Sequence, residues 1–312
     1  MKKIFKIFLW TLLILFILIN FISATNAYKF THFYDPGEVV TKTENKKTTW
    51  NHISDIIFGK DYTKKKNISL PDSFSKVIIT TKDAIKLEGW YRPANNPKGS
   101  VALFHGYGDN KTNVLEEGKS FLTMGYNVLL LDFRAHGSSG GNTCTIGYSE
   151  TEDVKLAYDF LKNKGEKNIV LWGISMGAAT ITRAIDEYHL QPSKIILEMP
   201  FATMENAVEG QVRLMHLPEE PLSTLLTFWG GTEHGFWAFG VNPGKYVKDI
   251  HCPVLMQVGL HDIRVTPKER KEVYENLNEP KQLVIYNNSG HESLCKKEPL
   301  KWLASVSAFL NS

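Results

Sequence analysis

The sequence predicts an α/β fold: a mostly parallel sheet with helices on both faces. Three observations predict it. Short apolar runs such as Val101–Phe104, Asn127–Phe133 and Ile169–Trp172 recur along the chain, and amphipathic segments alternate with them. Hydrophobic and charged contents of 43% and 22% match a globular chain and exclude a disordered or coiled-coil one. The 312 residues suffice for one large domain or two small ones.

The first 28 residues stand apart. Lys2, Lys3 and Lys6 precede a stretch from Ile7 to Tyr28 that carries no charged side chain. About 20 apolar residues cross a bilayer core, and basic residues ahead of them favour a cytoplasmic N-terminus. Residues 1–28 are therefore expected to be a membrane anchor or signal segment. As an anchor it makes a single-pass protein of the cell membrane, with everything downstream outside the cytoplasm. The alternative is cleavage after Thr25-Asn26-Ala27, which would release a secreted chain. The formal charge of +3 belongs to those three lysines, so nucleic-acid binding has no electrostatic support.

Residues 29–75 form a polar extension outside the cytoplasm. Within it Trp50, Ile53, Ile56 and Ile57 have the spacing of a short helix packed on the main body, and Lys64–Lys66 read as a solvated loop. Residues 76–312 carry the alternation. Val77–Thr80 and Ile85–Tyr91 predict a hairpin, Lys111–Met124 a helix, and Glu150–Leu161 another with acids at its N-terminal end. Ile169–Trp172 runs straight into a helix over Ala178–Tyr188; Ile195–Leu197, Val254–Val258 and Gln282–Tyr286 predict the remaining strands. About 50 residues, 201–247, separate two of these strands, far more than a usual connection. Two helical apolar patterns in them predict an inserted cap.

Gly173-Ile174-Ser175-Met176-Gly177 fits G-x-S-x-G between an apolar strand and a helix. A sharp strand-to-helix turn exposes a serine oxygen, and flanking glycines leave room for it. Serine needs a base, and the base an orienting acid. Asp262 follows the strand Val254–Gly259, and His291 follows Gln282–Tyr286, in the chain order the mechanism requires. Glu198 is the rival acid. An oxyanion hole is expected from the backbone N–H groups of Tyr107, in His105-Gly106-Tyr107-Gly108, and Met176. His105 is expected to hold that loop, and Asp132 and Arg134 to pair as a brace.

With these segments the chain resembles the α/β-hydrolase family, notably its serine esterase, lysophospholipase and peptidase-like members. The resemblance runs from about Val77 to Phe309. It rests on His105-Gly106, Asp132-Phe-Arg134-Ala-His-Gly137-Ser, Gly173–Gly177, Gly259–Pro267 and Ser289-Gly-His291. Ala135 departs from the family's Asp-x-Arg-Gly-His-Gly pattern. The resemblance implies an α/β-hydrolase fold with Ser175 as nucleophile, Asp262 as acid and His291 as base. It implies cleavage of an acyl bond, most simply a carboxylic ester, of a small-molecule substrate, without metal or organic cofactor.

Peptide or amide hydrolysis by the same residues is one alternative, and a non-catalytic surface protein that binds acyl ligands or partners is another. The isolated histidines lack ligand spacing, and Cys144, Cys252 and Cys295 read as buried or inert thiols. Five aromatics between Phe228 and Phe239 are either the cap's own core or the lining of an acyl pocket. The oligomeric state has no sequence signal.

Overall fold

The computed structural model describes residues 2–38 and 49–312. Residues 39–48 of the polar extension, and the side chain of Ile53, lie outside the described residues. An eight-stranded sheet carries the fold. In chain order it comprises β3 (Ser75–Thr80), β4 (Lys86–Arg92), β5 (Gly99–Phe104), β6 (Tyr126–Leu131), β7 (Ile169–Ile174), β8 (Lys194–Glu198), β9 (Val254–Gly259) and β10 (Lys281–Tyr286). The order across the sheet is β10-β9-β8-β7-β5-β6-β4-β3. The first hairpin pairs antiparallel, β4 joins β6 antiparallel, and every later pair is parallel.

Parallel strands joined by helices are buried on both faces, which is why these runs are apolar throughout rather than alternating. In β5, Ala102 and Phe104 enter one core while Val101 and Leu103 enter the other. The connecting helices are α3 (Leu115–Thr123), α4 (Thr151–Asn163), α5 (Met176–Tyr188), α8 (Pro243–Tyr246), α9 (Pro267–Asn276), α10 (Leu294–Lys297) and α11 (Pro299–Asn311). Between β8 and β9 two further helices, α6 (Met204–Leu214) and α7 (Leu222–Glu233), rise over the carboxyl ends of the strands. Thr203 starts α6 by accepting a hydrogen bond from Asn206 N.

The N-terminal segment is a 30-residue helix, α1 (Lys2–Thr31), long and apolar enough to cross a membrane. It ends against the folded body. A two-stranded parallel sheet of β1 (Phe33–Tyr34) and β2 (Tyr62–Thr63) follows it. The short helix α2 (Thr49–Phe58) packs on α1 rather than on the main body: Ile57 and Ile56 carbonyls accept hydrogen bonds from Thr25 and Asn26. Trp50 is left 75% exposed.

The lysine run is a loop with Lys65 and Lys66 exposed, as expected, and only Lys64 departs from that reading. Lys64 is buried, with its ammonium 2.8 Å from Asp35, and Lys65 pairs with Asp109. Arg134 and Asp132 do not pair with each other either. Lys111 Nζ lies 2.5 Å from the Asp132 carboxylate and 3.1 Å from Glu88, all buried, while Arg134 binds Asp153 and Glu152. Spacing of two residues misled the sequence reading, because both partners arrive from other elements.

Candidate active site

Ser175 sits in the turn between β7 and α5 with φ 54° and ψ −116°, a conformation that non-glycine residues rarely adopt. The neighbours show what holds it. A Cβ on Gly177 would lie 2.3 Å from the Phe104 carbonyl oxygen, and one on Gly173 2.6 Å from the Gly177 backbone. Only glycine permits strand β5, the turn and the first turn of α5 to approach so closely. The helix begins at Met176, two residues earlier than its apolar pattern indicates.

The turn aims Ser175 at a histidine. Ser175 Oγ lies 2.9 Å from His291 Nε2, and His291 Nδ1 lies 2.8 Å from Asp262 Oδ2. Asp262 Oδ1 also accepts hydrogen bonds from the backbone N–H groups of Arg264 (2.8 Å) and Val265 (3.0 Å). Burial alone would raise the Asp262 carboxyl, but His291 and these two N–H groups outweigh it and hold it below the usual aspartate range. An ionised Asp262 can only accept, so Nδ1 carries the proton and Nε2 is free to accept the serine's.

Glu198, the rival acid, is engaged elsewhere. Its carboxyl accepts hydrogen bonds from the indole N–H groups of Trp172 (3.1 Å) and Trp302 (2.5 Å). Burial, with Glu117 nearby, pushes it up to about 8. Its backbone carbonyl accepts from Ser175 N at 2.8 Å, so it supports the turn through the main chain.

The loop after β5 is clamped by two neutral histidines. His105 Nε2 accepts from Phe133 N (3.1 Å) and its Nδ1 faces the Gly106 carbonyl (2.8 Å). His136 accepts from Gly108 N (3.1 Å), and burial holds its pKa down at about 3. Tyr107 and Met176 both line the space beside Ser175, and neither backbone N–H has a hydrogen-bond partner among the described residues. Two further residues shape the loops of the site: Ala135, which already stood out in the sequence as the departure from the family pattern, and Glu298, which carried no sequence signal. Ala135, fully buried, holds φ 61°, the left-handed region that explains the glycine of the family pattern. Glu298 accepts from Ser289 Oγ (2.7 Å) and Asn288 N (3.0 Å), fixing the loop that presents His291.

A cavity of about 510 Å³ opens beside Ser175, with Lys65, Asp109, Glu117, Arg264, Lys296 and Lys297 among its lining residues. Burial raises the Glu117 carboxyl despite a hydrogen bond from Ser293. Among the described residues no group of His, Cys, Asp or Glu stands ready to hold a metal. Cys144 and Cys295 are buried and Cys252 half-buried, with burial pushing Cys252 and Cys295 up to about 12, so none is a ready nucleophile. Of the five cap aromatics, Trp237 is 65% exposed, while Phe236 lines a cavity and stacks on Tyr148. The acyl-lining role weighed for the group fails for Trp237, which faces solvent.

Known proteins share this architecture. A family described as "Serine aminopeptidase, S33" matches residues 95–229, which include Ser175 but end before Asp262 and His291. Protein YqkD of Bacillus subtilis, itself uncharacterized, is 28% identical over 239 residues, 75% of this chain and 78% of its own. A lysophosphatidylserine lipase of Xenopus tropicalis is 27% identical over 54% of this chain and 44% of its own. A solved Pyrococcus furiosus esterase superimposes with a TM-score of 0.65 at 28% identity, covering 79% of this chain and 95% of that one.

Proposed function

The chain belongs to the α/β-hydrolase family and is a hydrolase, and from that premise we propose that it cleaves carboxylic esters through an acyl-serine intermediate. The observation that carries the proposal is the relay of short contacts, Ser175 Oγ to His291 Nε2 and His291 Nδ1 to Asp262.

In the first half-reaction His291 takes the Ser175 proton as Oγ bonds the ester carbon. The oxyanion is received by the N–H groups of Tyr107 and Met176, at the positive end of α5. The C–O bond then breaks and the alcohol leaves with the proton from His291. Water repeats the sequence on the acyl-serine, returning the acid and free Ser175. Asp262 keeps the imidazole in the required tautomer and stabilises its cation. No further group is needed.

The printed description of the matching family favours a second reading, amide cleavage by the same residues. Comparing p-nitrophenyl butyrate with aminoacyl p-nitroanilides separates the two. Preferred turnover of the ester supports our reading, and preferred turnover of the anilides replaces it. A protein that turns over neither and resists fluorophosphonates would be the non-catalytic binder.

We also propose that α1 stays attached, tethering the catalytic domain outside the cytoplasmic membrane. Its last turns are built into the body: Ser23, Ala27 and Thr31 are buried, and cleavage after Ala27 would remove the first two. Mass spectrometry of the membrane-bound protein tests it, and a mature chain starting at Tyr28 would overturn it.

A further inference from the structure

A second, smaller and more apolar space adjoins Ser175 on the side of the cap. Its near part, about 40 Å³, lies between Tyr107, Met176, Phe201 and Val265, with Gln211 and Arg264 at its edge. It shares Phe30 and Ile146 with a far part of about 30 Å³, bounded by Ala27, Leu226, Gly230 and Phe236 and lined almost wholly by carbon. Together they form a narrow apolar slot that starts at the serine and ends between α1 and α7.

The origin of its walls matters. Ala27, Phe30 and Thr31 belong to α1, the helix that the sequence marks as a membrane segment. Three contacts lock that helix onto the site. The Tyr107 hydroxyl donates to the Phe30 carbonyl while the two rings stack at 4.6 Å. His234 Nε2 lies 2.7 Å from Thr31 Oγ1, and Trp229 donates to Asn20 at 3.1 Å. Small residues let the helices approach: Ser23, Ala27 and Thr31 are the buried residues of α1, and Ser223, Thr227 and Gly231 those of α7. Both sets repeat every four residues, one face of each helix.

We propose that the slot binds the acyl chain of the substrate and that α1 supplies its far wall, which makes the anchor part of the substrate-binding site. The proposal rests on Ser175 being the nucleophile. A short alkyl chain suits a narrow, mainly apolar space, the larger cavity with its charged side chains takes the alcohol portion, and the oxyanion donors lie between. Tyr107 connects the two: its N–H faces the reacting carbonyl, and its ring and hydroxyl rest on α1. Gly230 keeps the slot open, since a Cβ there would meet nothing within 4 Å.

The test uses the full chain in detergent micelles and the labelling rates of ethyl and hexyl fluorophosphonates, because the two parts of the slot have room for only a few methylenes. Each buried methylene is worth about fourfold in binding, so the hexyl probe should label wild type at least about 30-fold faster. Gly230→Leu from α7 and Ala27→Leu from α1 each place a side chain in the slot. Each should lower the hexyl-to-ethyl ratio at least tenfold relative to wild type; micelle partitioning of the longer probe is common to all three proteins and cancels from that comparison.

A wild-type ratio near one, or ratios within twofold of wild type in labelled variants, overturns the slot while leaving Ser175 as nucleophile. Absence of labelling of wild type by either probe overturns the nucleophile and the slot together. Should both variants fail to fold, competition on wild type decides: hexanoate and not acetate should slow labelling by the ethyl probe, and equal effects overturn the proposal.

Discussion

Ser175 stands between two regions built on different principles. On one side are the loops after β5, β7, β9 and β10, tied by backbone bonds, buried charges and steric contacts too close for any side chain. On the other are two helices, α1 and α7, that meet through small residues and a few side-chain hydrogen bonds. At Gly173, Gly177 and Gly259 the loops leave no room for a side chain, whereas α7 has open space at Gly230, though not at Gly231, where a Cβ would lie 2.6 Å from the Phe236 carbonyl oxygen. The difference teaches a division of labour: reacting groups must be held to fractions of an ångström, while a wall that receives apolar chain can vary in shape at little cost.

The largest expected effect falls on the loop side. Ser175→Ala should remove fluorophosphonate labelling and lower ester turnover by about 10³-fold or more, with thermal unfolding little changed. Labelling that survives would move the nucleophile elsewhere. Asp262→Asn comes next, with kcat down about 10²- to 10⁴-fold because the imidazole would present the wrong tautomer. Turnover within tenfold of wild type would remove Asp262 from the mechanism.

Two glycines probe the comparison directly. In Gly177→Ala the new Cβ meets backbone oxygens of Phe104 and His105 at 2.3 and 2.8 Å, and backbone there cannot yield. A loss of about 3 kcal/mol or more in denaturant unfolding is expected. Gly230→Ala, inside α7 with free space around its Cβ, should instead gain about 0.5–1 kcal/mol from helix propensity. Equal signs for the two substitutions would break the contrast between the regions.

Between these lies a pH effect. Glu198 ionises near pH 4.5 when unfolded but is held up to about 8 in the fold. Over that window the folded chain keeps a proton that the unfolded chain has released, so stability falls as pH rises from about 4.5 to about 8. Glu198→Gln should flatten the dependence of Tm on pH there and leave ester turnover within a few fold. An unchanged slope would show that the carboxyl titrates normally. Asp262 runs the other way: its contribution is present above its unfolded value of 3.8 and is lost as pH falls through its lower folded value.

What the sequence made legible follows the same boundary. The strands and the Ser175 turn could be read because their constraints are local: an apolar run, then glycines where neighbours crowd. Asp262 and His291 could be placed because each follows a strand end by a few residues. Partners that meet across the fold could not be read. Lys111 reaches Asp132 and Arg134 reaches Asp153 over about 20 residues of chain, and nothing in the intervening spacing announces either pair. The stripe Ser23, Ala27, Thr31 was hidden for a different reason. Within a helix apolar on every side, the face that meets protein looks like the faces that meet lipid. Trp237 drew attention as an aromatic among aromatics, and only its exposure in the fold separates it from Phe236.

The rigid join between α1 and the body sets a height. With residues up to Phe21 in a bilayer, Ala27 lies about 9 Å further along the helix axis, within the lipid headgroup layer. Among the described residues α1 runs directly into contacts with the body, so on the proposed tether the opening at Ser175 would keep one orientation to the surface. On the proposed tether, encounter with a membrane-borne ester would be a search in two dimensions. Turnover of a lipid ester should then follow its mole fraction in the membrane rather than its amount per volume, falling on dilution with inert lipid and unmoved by added buffer.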